Sequence, residues 1–308
     1  MNNTNHARVR AAVVSLALLL PLPALAQPTE AAQAEFAAAV QALNKARIDG
    51  PAEIKLADQA VLRLPAEFIY VPAAESNRLL MAMGNRGGDN TLGLLLPAAQ
   101  DEGWFIVMRF TKSGYIKDDD AKDWNVDELF KGLKDGTEEV NKERRARGIP
   151  EVDVLGWVEA PKYDSASHRL VWSLESRERN APADAPRGVN YNTYALGREG
   201  YISMNLVTGM KEIQAHKPLA HRALAALQYN EGRRYADFDS ATDHVAEYGL
   251  AALVGGFAAK KLGLFAVIFA FLLKFWKIVA LAVVGLGALV AKRLRRSQAG
   301  AASSSPQA

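Results

Sequence analysis

The chain has 308 residues, 49% of them hydrophobic and 23% charged, with a formal net charge of +3 and no cysteine. That length and hydrophobic content suffice for a sizeable core and exclude a disordered chain, and the missing thiols exclude disulfides, thiolate metal sites and cysteine nucleophiles. All 34 acidic residues fall between Glu30 and Glu247, alongside 27 Lys and Arg, so the body is mildly acidic, near −7, and has no reason to bind the phosphates of a nucleic acid.

Residues 1–26 read as a signal peptide. Arg8 and Arg10 precede the apolar run Ala11–Leu20, and Pro21, Pro23 and Ala24-Leu25-Ala26 supply a helix break and a small-x-small cleavage site. Residues 27–50 hold a helix, Ala31 to Arg47, that ends at Gly50-Pro51. Residues 51–248 read as a periplasmic α+β domain. Ile54 to Leu64 predicts two short strands around Ala57-Asp58-Gln59, and Pro72 to Met83 a helix. Gly84 to Asn90 predicts a turn, and Thr91–Leu96 with Trp104–Phe110 a strand pair. Val126, Leu129, Phe130, Leu133 and Val140 recur at helical spacing, which predicts a helix from Val126 to Arg147, stopped by Gly148-Ile149-Pro150. Val152–Glu159 with Leu170–Glu175, and Tyr191–Leu196 with Tyr201–Val207, read as hairpins, and Leu219–Leu227 as a second body helix. Strands in hairpins imply an antiparallel sheet with helices on one face, an α+β fold.

Residues 249–291 read as a juxtamembrane and transmembrane helical segment, and 292–308 as a basic, disordered cytoplasmic tail. Leu262–Leu273 and Ile278–Ala291 are apolar runs split by Lys274-Phe275-Trp276-Lys277 and closed by Lys292, Arg293, Arg295 and Arg296. Lys274, Trp276, Lys277 and those four basic residues suit membrane interfaces, and the positive-inside rule places the tail in the cytoplasm. The expectation is a single-pass inner-membrane protein with its main domain in the periplasm. A helical hairpin over the two runs is the alternative.

One pattern repeats. Tyr115-x-x-x-Asp119-x-Ala121-x-Asp123 and Tyr235-x-x-x-Asp239-x-Ala241-x-Asp243 are the same motif. The aspartates suit a helix first turn, where they meet free amides. Paired ligand sites and a distant duplication are the alternatives, and these six residues are the candidate ligand or interaction set.

The chain resembles the bacterial membrane-anchored family called domain of unknown function 2167. The segments that carry the likeness are Gly114–Ala121, Leu155-Gly-Trp157, Pro161-x-Tyr163-Asp164, His168–Trp172, Asn190–Thr193, Leu196-Gly-Arg198, Gly232–Phe238 and Tyr248-Gly-Leu250. The resemblance implies export, a C-terminal anchor and no assigned activity or catalytic residue.

Other constellations are weak. Asp118, Asp119, Asp120, Asp123, Asp127 and Glu128 crowd together, but without the order of a calcium loop. His216 and His221 are wrongly spaced for zinc and have no third ligand nearby. His168 near Asp164, Ser165 and Ser167 has the residue types of a triad but no nucleophile elbow. Trp157, Trp172, Tyr191, Tyr194 and Tyr201 on the hairpins read as core or cross-strand pairs before a ligand groove. The expected function is a membrane-anchored envelope binding or interaction module without catalysis and without a cofactor. Its expected partners are membrane lipid and an envelope protein or a second copy of the chain. A hydrolase built on paired carboxylates and a self-assembling membrane protein are the alternatives.

Overall fold

A computed structural model describes residues 30–255 except 84, 86, 100, 101 and 147. Along the chain run α1 (Glu30–Ala46), β1 (Ile48–Asp49), β2 (Ala52–Leu56), β3 (Ala60–Leu64), β4 (Phe68–Pro72), α2 (Ala73–Ala82), β5 (Thr91–Pro97) and β6 (Phe105–Thr111). Then follow α3 (Val126–Ala146), β7 (Val152–Asp164), β8 (Arg169–Glu178), β9 (Gly188–Leu196), β10 (Tyr201–Gly209), α4 (Ile213–Ala226), β11 (Leu227–Tyr229) and the short α5 (Ala252–Gly255). Eight strands form one antiparallel sheet, ordered β1-β4-β5-β6-β10-β9-β8-β7, and β11-β3-β2 form a second. The antiparallel α+β class expected from the hairpins is present.

The two-residue period of each strand sorts its side chains between two layers. On β10, Ile202, Met204 and Leu206 point into a core that also holds Tyr70, Leu95, Ile106 and Met108, closed by α4 and the small sheet. The opposite parity of β4, β5 and β6 places Ile69, Val71, Leu94, Leu96, Phe105 and Val107 under α1 and α2. Further along that same face, Leu170, Trp172 and Leu174 of β8 lie under α3 and α5.

Local chemistry sets the ends of the elements. Asn125 Oδ1 accepts the amides of Asp127 (2.9 Å) and Glu128 (3.2 Å) and so caps α3. Gly148, in the left-handed region at φ 67, closes the helix as sequence expected. α3 is then tied to the sheet edge. Buried Asn141 donates Nδ2 to the Val152 carbonyl (2.8 Å) and accepts the Val152 amide (2.9 Å), as another strand would. Arg179 binds Asp153 (2.7 Å), Glu151 (2.8 Å) and Glu138.

Some expectations change. The strand β4 went unread, because its Phe-Ile-Tyr-Val run is buried on both faces and shows no alternation. β7 runs on through Pro161 to Asp164, accommodated by register shifts at three places. α4 begins at Ile213 and contains Pro218 inside its first turns.

The expected transmembrane helix is corrected. Among the described residues no helix is long and apolar enough to cross a membrane. The longest, α3, carries Lys131, Lys134, Asp135, Glu138 and Glu139 along its length. The single-pass inner-membrane topology, with its periplasmic body and cytoplasmic tail, therefore has no support in this fold. At the start of the segment expected to be juxtamembrane and transmembrane, residues 249–291, lies α5, a four-residue turn whose Leu253 and Val254 are buried in the body. The two apolar runs, with Lys274, Trp276, Lys277, Lys292, Arg293, Arg295 and Arg296, lie outside the described residues, as do residues 1–26.

Leu95 is fully buried at the centre of the larger core. Leu95→Ala leaves a cavity there, so it is expected to cost about 2–5 kcal/mol, read as a lower urea midpoint with an unchanged slope.

Candidate functional site

The repeated motif becomes physical in the fold. The segment after β6 and the segment after β11 lie side by side. Tyr115 donates its amide to the His244 carbonyl (2.8 Å), and its carbonyl accepts the Ala246 amide (2.8 Å), forming a parallel bridge. Gly114 permits the approach: at φ 87, a Cβ there would sit 2.4 Å from the His244 ring. The tyrosines of the two copies stack with ring centres 4.4 Å apart. The column continues to Phe238 on one side (3.8 Å from Tyr115) and His168 on the other (4.0 Å from Tyr235). Tyr235 donates its hydroxyl to the Ile116 carbonyl (2.7 Å), and burial pushes its acidity well down, as it does for Tyr115.

The aspartates of the motif do not converge with the rings. Asp119 lies on a short 3-10 turn, Asp119–Lys122, that ends where the Asp123 amide meets the Asp120 carbonyl (3.2 Å). Asp120, outside the motif, accepts the amides of Leu250 and Ala251 (both 3.0 Å) and so anchors the turn into α5. Asp239 accepts the Ala241 amide (2.9 Å). Asp243 is gripped by Arg198 through Nε (2.6 Å) and Nη2 (2.8 Å) and also accepts the Asp239 amide (2.8 Å). The Arg198 hydrogen bonds pull the Asp243 carboxyl down to about 2. Among the described residues no group of three or more His, Cys, Asp or Glu is placed to hold a metal ion. Asp119 borders a hollow of about 360 Å³ with Lys117, Asp120, Ala246, Glu247, Tyr248 and Gly249.

Next to the ring column lies a larger groove of about 510 Å³. Its walls are the β7–β8 turn (Ser167, His168, Arg169), the end of β9 (Ala195, Leu196), Gln228 and Tyr229 of β11, and Arg234, Tyr235 and Ala236. The turn is shaped by Asp164, which accepts the Ala166 amide (3.0 Å) and the Ser167 hydroxyl (2.6 Å). His168 takes the left-handed region at φ 51, held by its carbonyl accepting the Leu196 amide (3.0 Å). Tyr163 donates to Asp118 (2.6 Å), and its oxygen lies 3.1 Å from His168 Nδ1. The tyrosine has one proton, and Asp118 takes it. His168 Nδ1 must therefore be the donor in the other bond, which leaves Nε2 without a proton when the ring is neutral.

Two cations face this groove. Arg169 is half-buried, and burial lowers its guanidinium pKa while nearby Asp164 opposes the shift. Arg234 is exposed. Neither guanidinium has a hydrogen bond or ion pair within the described residues. The sequence offered His168 only as a doubtful triad member, and here it meets Tyr163, Asp118 and Tyr235 rather than a serine. Both arginines lie in segments that carry the family likeness, but nothing in the sequence pairs them, because they are 65 residues apart in the chain. The hairpin aromatics mostly pack inward, with Tyr191 fully buried. His216 bonds Thr208 (2.6 Å) and His221 bonds Tyr191 (2.9 Å), so the two histidines serve separate contacts.

The fold and groove define an antiparallel α+β domain with a cationic, aromatic-walled groove. The family described as protein of unknown function (DUF2167) matches residues 48–287, and the chain belongs to it. No curated protein is significantly similar to the chain. Among solved structures, cyanobacterial PsbP (CyanoP) from Synechocystis sp. PCC 6803 is 11% identical, with a TM-score of 0.36, over 60% of this chain and 91% of that one. The Saccharomyces cerevisiae Ran-binding protein Mog1p is 9% identical, with a TM-score of 0.31, over 59% of this chain and 96% of that one. Likenesses this weak say nothing about what the groove binds.

The Arg198–Asp243 pair gives a pH test. The Asp243 carboxyl is depressed in the folded state, so the pair stabilises the fold above the ordinary aspartate value of 3.8, and that contribution disappears as pH falls towards about 2. Asp243→Asn is therefore expected to be less stable than the parent at pH 6, with the two converging between pH 4 and 2 in thermal melts.

Proposed function

We propose that the groove beside His168 and Tyr235 binds a small planar anion, and that the domain works by binding rather than by catalysis. The observation that carries this reading is the pair Arg169 and Arg234, which share one groove and form no ion pair among the described residues; Asp164 lies near Arg169 but is held by the Ala166 amide and the Ser167 hydroxyl. A half-buried guanidinium without a partner is costly to the protein alone, and an incoming anion removes that cost. The edge of the His168–Tyr235 stack supplies a flat apolar wall for a ring. His168 Nε2, unprotonated in the neutral tautomer, accepts a hydrogen bond from a hydroxyl or amide of the ligand.

The carboxylates near the groove are already engaged. Asp243 is taken by Arg198, Asp118 by Tyr163, Asp164 by Ser167 and the Ala166 amide, and Asp120 by two backbone amides. A carboxylate committed in this way makes a poor general base or nucleophile.

The test is calorimetric titration of the full-length chain with phenyl phosphate, with phenol as the neutral control. Phenyl phosphate is expected to saturate, and phenol to bind at least tenfold more weakly. The double variant Arg169→Gln, Arg234→Gln is expected to lose at least tenfold in phenyl phosphate affinity, in line with charge-assisted hydrogen bonds of about 1.5–3 kcal/mol each. Equal affinity in parent and variant would remove the proposal.

A further inference from the structure

A second polar feature lies on the other side of the sheet from the main core, and the groove does not use it. On the face shared by the α1–α2 and α3–α5 layers, the central strands carry polar residues where the flanking strands carry apolar ones. Antiparallel register puts Thr91, Arg109 and Ser203 in one row across β5, β6 and β10. Asn205 follows Ser203 on the same face, with Asn192 directly across from it on β9. Partners in register lie about 5 Å apart and diagonal neighbours about 7–8 Å, so Arg109 sits between Thr91, its partner on one side, and Asn205, its diagonal neighbour on the other.

Asn192 donates Nδ2 to the Asn190 carbonyl (3.2 Å), but its neighbours are less well served. Thr91 is only 5% exposed, and its hydroxyl has no hydrogen-bond partner. Asn205 Oδ1 is buried and unpartnered. Arg109 is half-buried, and burial alone lowers its guanidinium pKa. No carboxylate among the described residues pairs with it. Orphaned groups of this kind are costly, more so when charged, and folded proteins seldom keep several together without a use for them. Apolar residues at these positions would merge the two flanking cores into one. Instead a polar gap separates them.

We propose that this strip is a binding site for a small acid, whose oxyanion lies on Arg109 and whose remaining polar atoms reach the Thr91 hydroxyl and Asn205. The guanidinium fork suits two oxygens of a carboxylate or a phosphate. The threonine hydroxyl both donates and accepts, so it serves either a deprotonated oxygen or a hydroxyl of the ligand. The apolar flanks, Val107 and Val207, suit a short carbon backbone better than a second charge.

The experiment uses the full-length chain and two probes, malate and inorganic phosphate, against sodium chloride at equal ionic strength. Binding is followed through the Arg109 Nε–Hε resonance, assigned by its loss in Arg109→Met. A saturable shift with either probe is expected, and the probe that gives it distinguishes a carboxylate from a phosphate ligand. Calorimetry should then show at least a tenfold loss of affinity in Arg109→Met. Thr91→Val keeps the shape and removes only the hydroxyl, so it should lose several-fold while folding normally, and it keeps the test open if Arg109→Met does not fold. Arg169→Gln, Arg234→Gln should leave this binding unchanged, which separates it from the groove. Unshifted resonance with both probes, or parental affinity in Thr91→Val and in every folded Arg109 variant, would overturn the proposal.

Discussion

The whole molecule leans on the alternation of side chains along three central strands, β6, β10 and β9. One parity of β10 sends Ile202, Met204 and Leu206 into the core under α4. The other parity presents Ser203 and Asn205 to the opposite face. A one-residue slip of β10 would exchange these sets and place an asparagine and a serine in the largest core. Because β10 pairs with both β6 and β9 along most of its length, its register also fixes theirs. The helical layers on both faces take their positions from that register.

The groove is a by-product of how the sheet ends. At the β7–β8–β9 end, the loops that close the hairpins meet the segments after β6 and β11. Stacked rings join them: Phe238, Tyr115, Tyr235 and His168 form a column from three separate stretches of chain. Around it, ion pairs secure the loops. Arg198 holds Asp243, and Arg233 holds both Asp58 (2.5 Å) and Glu199 (2.6 Å). Partly exposed pairs of this kind add modest stability each, but together they fix loop geometry, and a binding site on loops needs that more than it needs free energy. The same networks consume most carboxylates nearby and leave Arg169 and Arg234 without an ion pair among the described residues.

The motif shared by Tyr115 and Tyr235 shows how a correct observation can carry the wrong weight. Sequence marked the tyrosines and the aspartates equally. In the fold, the tyrosines meet each other, whereas Asp239 accepts an amide of its own turn and Asp243 is held by Arg198. The difference is one of partner. Rings stack on rings, whereas a carboxylate takes the amide or guanidinium that the fold brings to it. The membrane assignment rests on apolar runs and flanking lysines that lie outside the described residues; among the described residues no helix has the length and apolarity to cross, and the described start of residues 249–291 is a short turn held by Asp120 and packed through Leu253.

Local sequence decided most of the elements, because hydrophobic period and breaker residues act within a few positions. The period at Val126–Val140 and Gly148 mark α3, and the hairpins Val152–Glu159 with Leu170–Glu175, and Tyr191–Leu196 with Tyr201–Val207, form one half of the large sheet. The antiparallel α+β class followed from hairpin spacing alone, and the family likeness from motifs in order. The strand at Phe68–Pro72 stayed hidden, since burial on both faces erases alternation. Tertiary structure alone decided which charges are spent and which are free. Arg198 and Arg169 look alike in sequence, but one lies against Asp243 and the other faces an open groove. It also decided that Thr91, Arg109 and Asn205 share a patch, since cross-strand neighbours are chosen by register, a property of the whole sheet that no single segment encodes.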